Sequence, residues 1–139
     1  MVSRVLVPMD DSEMAERALK HALETYPGAE ITVLHVVGEP SGMMGQATKL
    51  ALADDLKQAK DELASDVLSR AESVAAEYDE EIDTSVEVGH PARAIINRAA
   101  DFDMVVIGTH GGSLSDRLFV GDVARRVFRR SPAPVTVIR

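Results

Sequence analysis

The segment Ile31-Thr32-Val33-Leu34-His35-Val36-Val37 constrains this chain more than any other. Its apolar, β-branched residues run almost without interruption, so a strand built from them has no face to give to water and belongs inside a parallel sheet covered on both sides. Arg4-Val5-Leu6-Val7-Pro8 reads as a strand as well. Between the two, Asp10-Asp11-Ser12-Glu13 offers turn and cap residues for a helix through about Thr25, and Pro27-Gly28 ends it. Met14, Ala18, Leu19, Ala22 and Leu23 recur at helical spacing and give that helix an apolar face. Strand, helix, strand implies a right-handed crossover.

The rest of the chain continues this alternation. Gly38 to Gly45, with Pro40, Gly42, Met43 and Met44, reads as a loop whose methionines are gap-filling residues. From about Ala47 to Tyr78 there is no Gly or Pro, which favours one long helix or two in sequence, with Leu52, Leu56, Ala59, Leu63, Val67, Ala71 and Val74 as its inner stripe. Ile82 to Val88 alternates with charged neighbours and fits a strand at a sheet edge. Gly89-His90-Pro91 turns into a helix over about Ala92 to Ala100, and Met104-Val105-Val106-Ile107 is a further buried strand. Val123 to Arg130 forms a short helix, Ser131-Pro132-Ala133-Pro134 breaks it, and Val135 to Ile138 closes the chain as a strand.

Five strands alternating with helices predict one α/β domain over residues 1–139: three layers, a five-stranded parallel sheet and helices on both faces. The flavodoxin-like order 3-2-1-4-5 is one well-known arrangement of such a sheet. Ligands then bind outside the carboxyl ends of the strands where the order reverses, between strands 1 and 4. That arrangement brings Asp10 and Gly108 to one crevice, although they lie far apart in sequence.

Charge and composition narrow the function classes. The net charge of −8 arises between Asp54 and Asp83, where eleven acidic residues face only Lys57, Lys60 and Arg70. An acidic surface disfavours nonspecific nucleic-acid binding, while Arg125, Arg126, Arg129 and Arg130 sit in the last helix, where cations favour the C-terminal end. Without cysteine there is no disulfide framework, thiolate zinc site or cysteine nucleophile. No apolar run approaches the ~18 residues of a membrane span and Met1-Val2-Ser3-Arg4 lacks a signal-peptide pattern, so a cytoplasmic protein that avoids membranes is expected.

The chemistry-bearing stretch follows strand 4. Gly108, two residues, Gly111, nine residues, then Gly121 forms G-x2-G-x9-G, a glycine loop whose backbone N–H groups can approach an anion closely. Asp122 follows the last glycine. An ionised carboxylate accepts hydrogen bonds but has none to donate to phosphate, and at ~4 Å from a phosphate charge it costs about 4 kcal/mol at an effective dielectric near 20. Three readings follow: weakened nucleotide binding, binding that leans on Mg²⁺ between the two anions, or Asp122 as an internal anion replacing the phosphate. His110 is a candidate phosphate donor or a solvated loop residue, and Arg117 a surface loop residue. His21 and His90 carry no signal beyond a helix surface and a turn, and His35 reads as a core histidine.

Taken together, Val5 through Glu13, Leu34-His35-Val36, Gly89-His90-Pro91 and the glycine pattern through Ser131-Pro132-Ala133-Pro134-Val135 make the chain resemble the universal stress protein family over essentially its whole length. The resemblance is to the ATP-binding branch, with Asp122 where those members carry Ser or Thr and Gly112 where many carry a basic residue. It implies that Pro8, Met9 and Asp10 line a base and ribose pocket, with Asp10 on the adenine and Val36 flanking the base. It further implies that Ile107, Gly108, His110, Gly111, Gly121, Asp122 and Val123 surround ribose and phosphates. The expected ligand is ATP or a related adenine nucleotide, with Mg²⁺ as companion. No catalytic residues are assigned, because no nucleophile triad, perturbed carboxylate pair or positioned base for water is recognisable; at most, a slow ATPase is expected. The implied role is a stress-response regulator, the alternative a dimeric interaction protein of the same fold that binds no nucleotide. The resemblance also implies a homodimer through the edge strand Val135, Thr136, Val137 and Ile138.

Overall fold

The computed structural model describes residues 1–37, 46–109 and 122–139. In chain order the elements are β1 (Arg4–Pro8), α1 (Glu13–Thr25), β2 (Glu30–Val37), α2 (Gln46–Glu77), β3 (Asp83–Val88), α3 (Pro91–Ala99), β4 (Met104–Gly108), α4 (Asp122–Arg130) and β5 (Val135–Ile138). The strands form one sheet in the order β3-β2-β1-β4-β5, with every pair parallel. This is the architecture that uninterrupted apolar strands demand.

Alternation along each strand sends side chains to two separate cores. Val5, Val7, Ile31, Val33 and Val106 pack with Ala15, Ala18, Leu19 and Ala22 of α1 and Val67, Ala71 and Val74 of α2. On the opposite face, Leu6, Leu34, Val105 and Ile107 meet Ile95 and Ala99 of α3 and Ala124 and Val127 of α4. A helical layer therefore covers each face. The sequence left α2 open as one helix or two; it is a single helix of 32 residues. Of its expected inner stripe, Val67, Ala71 and Val74 are buried, while the side chains of Leu52, Leu56, Ala59 and Leu63 lie outside the described residues, as does the loop from Gly38 to Gly45.

The connections follow from local chemistry. Ser12 adopts an extended backbone at the N-cap of α1, and its hydroxyl accepts from the Ala15 N–H at 3.1 Å. Glu13 and Glu16 complement the positive end of the helix. Gly89, with φ of +142°, supplies a backbone conformation that a side chain resists, and its N–H donates to the Val37 carbonyl at 2.9 Å. His90 then stands at the N-cap of α3 without a capping bond, and Pro91 enters the first turn.

At the amino end of the sheet, one Asp103 carboxylate oxygen accepts from the Ser3 N–H at 2.9 Å and the Arg4 N–H at 3.0 Å, tying the start of β1 to the start of β4. The Ser3 amide and then the Arg4 amide hold the Asp103 carboxyl below the usual carboxylate range. A depressed folded-state pKa contributes stability that is fully present above the unfolded value of about 3.9 and is lost as pH falls through the folded value. Asp103→Asn should therefore lower the denaturation midpoint at pH 7, and the gap from the wild type should close below pH ~4. An equal gap at pH 7 and pH 3, measured by urea denaturation, would show that the carboxylate charge plays no part.

Candidate functional site

The carboxyl end of β1 is a proline, Pro8. Between β1 and β2 the register runs from Arg4↔Glu30 to Pro8↔Leu34, but between β1 and β4 it covers only Val5↔Met104 and Leu6↔Val105. Met9 N–H donates to Leu34 O at 2.9 Å, so in an alternating strand the nitrogen of Pro8 faces the other way, towards β4. Proline has no hydrogen to donate there, and the β1–β4 ladder stops short of it. The two central strands thus run out of pairing at their carboxyl ends, where the strand order reverses.

Pro8, Met9 and Asp10 leave β1 at this point. Met9 is buried in the core beneath α1 and α2, so its side chain faces away from solvent. Its N–H is bonded to Leu34, and its carbonyl accepts from His35 Nδ1 at 2.8 Å. Because a carbonyl only accepts, that ring nitrogen carries the proton. Asp10 is half-buried, and its Oδ1 accepts from the Ser12 N–H at 2.9 Å. The capping turn and the acidic site candidate are one structure: Asp10 orders Ser12, and Ser12 caps α1. Val36 and Val123 are half-buried, Ile107 buried, and all three belong to the core beneath α3 and α4.

Gly108 ends β4 against the first turn of α1. A Cβ at this position would collide with the carbonyl oxygen of Met14 and lie 2.7 Å from its carbonyl carbon and 3.1 Å from the Ala15 nitrogen. The absence of a side chain here is required by the approach of two backbones. Thr109 N–H then donates to Ile138 O at 2.9 Å, joining the exit of β4 to the end of β5. Asp122 is the first residue of α4 and is exposed, with its charge at the favourable end of the helix dipole. His110, Gly111 and Gly121 lie outside the described residues, as do Gly112 and Arg117.

Two residues with no assigned role in the sequence reading bear on this turn. His35 is buried as expected of a core histidine, but its ring reaches from β2 to the Met9 carbonyl. Arg70, on the acidic helix α2, donates to the Asp11 carbonyl at 3.2 Å and pairs with Glu16 at 3.0 Å. A buried imidazole N–H must find an acceptor, which was a legible signal; its partner was not. Arg70 lies among solvated carboxylates and gave no signal. Elsewhere, Arg126 of α4 donates to His90 Nε2 at 3.2 Å, which joins α4 to the start of α3. Among the described residues, no three His, Cys, Asp or Glu side chains gather to hold a metal ion, and no helix is long and apolar enough to cross a membrane.

A parallel sheet of order 3-2-1-4-5 with helices on both faces defines a doubly wound α/β protein, a class whose ligands bind at the carboxyl ends of the strands where the order reverses. The family model for the universal stress protein family matches residues 1–139, and the chain belongs to that family. It is 28% identical to a universal stress protein of Methanocaldococcus jannaschii, over 100% of this chain and 96% of the relative. Among solved structures, universal stress protein UspA from Lactobacillus plantarum superposes with a TM-score of 0.81 at 26% identity, covering 99% of this chain and 98% of that one. A universal stress protein in complex with cAMP has the same fold, with a TM-score of 0.72 at 23% identity, over 99% of this chain and 97% of its own. Two further structures of the fold, 24% and 16% identical, hold dAMP and AMP.

Proposed function

We propose that the chain, as one domain over residues 1–139, binds ATP or a related adenine nucleotide in the crevice between β1 and β4 and acts as a regulator, not as an efficient catalyst. The observation that carries this reading is the end of the β1–β4 ladder at Leu6↔Val105, with Asp10 emerging two residues beyond Pro8. The chemistry suits adenine: a carboxylate is an acceptor that matches an exocyclic amine, and half-buried Val36 brings apolar surface to the same end of the sheet. Relatives of this fold bind cAMP, dAMP and AMP, all adenine nucleotides. In this reading Pro8, Met9 and Asp10 shape the base side. Gly108, His110, Gly111, Gly121, Asp122 and Val123 serve the ribose and phosphates, and Mg²⁺ accompanies the ligand. Two copies pair through the edge strand Val135–Ile138, in a cytoplasmic regulator.

A second reading, a dimeric interaction protein that binds no nucleotide, is favoured by one observation. Gly108 is demanded by the contact with α1 whether or not a ligand is present, so the first glycine of the motif is architecture. Calorimetric titration with ATP decides between the two. Saturable binding at micromolar to millimolar ATP in the presence of Mg²⁺ is expected; absence of heat with and without Mg²⁺ would transfer the function to the second reading.

A further inference from the structure

We infer that His35 and Arg70 are positioning residues that clamp the turn carrying Asp10, each by holding one of the two carbonyls that flank it. Asp10 is the one acidic side chain of the proposed base site, and it stands in a turn outside the sheet. Its direction therefore depends on what fixes the peptide groups on either side. The Met9 carbonyl accepts from the buried His35 ring at 2.8 Å, and the Asp11 carbonyl accepts from Arg70 at 3.2 Å. The clamps come from β2 and α2 and hold the carbonyls immediately before and after Asp10, and Asp10 itself closes onto the Ser12 N–H at 2.9 Å. With the Met9 N–H already committed to Leu34, four hydrogen bonds among the described residues tie three successive residues to three other elements or caps.

The clamps differ in kind. His35 is 5% exposed, so losing its N–H leaves a carbonyl without a partner in a dry setting, which the chain can relieve only by moving the turn. Arg70 is half-exposed and its Nε also pairs with Glu16, so water can replace it at lower cost. His35 is accordingly the stronger clamp. Arg70 makes the geometry of Asp10 depend on the seating of α2.

This inference rests on the nucleotide reading for its effect on affinity, but not for its effect on the turn, and the experiment separates the two. Amide hydrogen exchange at Ser12 in the ligand-free protein is compared among wild type, His35→Leu, His35→Gln, Arg70→Met and Arg70→Lys. His35→Leu should raise Ser12 exchange about tenfold relative to core amides of β1, and Arg70→Met by a few-fold. His35→Gln and Arg70→Lys, which keep a donor, should restore most of the protection. ATP affinity should follow the same order, about tenfold weaker for His35→Leu. Ser12 exchange unchanged in His35→Leu, or raised equally in His35→Gln, would overturn the clamp. Changed exchange in a protein that shows no ATP binding would sustain the clamp and sink the nucleotide reading alone.

Discussion

Gly108→Ala is expected to destabilise the protein by about 3 kcal/mol in the absence of any nucleotide. The added Cβ meets the Met14 carbonyl group and the Ala15 nitrogen, all backbone atoms of the first turn of α1. A flexible side chain can rotate out of the way, whereas this turn is held by the Ser12 cap and by burial of Ala15 against β1 and β4. Relief requires α1 to lift from the sheet or β4 to retreat from β5, and either movement opens a core. Urea denaturation of wild type and Gly108→Ala without ligand measures the effect as a lower midpoint. An unchanged midpoint combined with lost ATP binding would instead assign Gly108 to the ligand, and the close approach of β4 and α1 would not matter energetically.

The same residue shows how far a sequence can be read. Glycine spacing identifies a place where backbone must come close to something, but not to what. Gly108 answers to α1, and the glycines at 111 and 121 lie outside the described residues. The strand order was legible because uninterrupted apolar runs leave few ways to cover both faces of a sheet, and because Ile82 to Val88, with its charged neighbours, could stand only at an edge. The burial of His35 was legible too. Its bond to Met9, like that of Arg70 to Asp11, joins residues far apart in the chain, and spacing carries no information about such pairs until the sheet register is known. Proline at the end of β1 was legible as a strand terminus. Its larger consequence, the early end of the β1–β4 ladder, follows from which neighbour its nitrogen faces, a matter of register and not of residue type.

Asp122→Ser is expected to bind ATP roughly 5- to 30-fold more tightly than the wild type when Mg²⁺ is absent, and the gap should close when Mg²⁺ is present. The carboxylate occupies the first turn of α4, the end of the helix that also favours phosphate. Two anions drawn to the same helix end repel one another. The repulsion of about 4 kcal/mol at ~4 Å and an effective dielectric near 20 is an upper limit here, because Asp122 is exposed and water screens it, leaving about 1–2 kcal/mol. A divalent cation between carboxylate and phosphate offsets the repulsion, because the same carboxylate charge then helps to hold the ion. Titrating both proteins with ATP, with Mg²⁺ and with excess chelator, isolates this coupling. A gap that persists unchanged with Mg²⁺ would make Asp122 a pure obstacle, and equal affinities under both conditions would place its carboxylate away from the phosphates. Recovery of binding only in Asp122→Ser would identify a family site closed by one side chain, and the function would then lie in what the protein contacts.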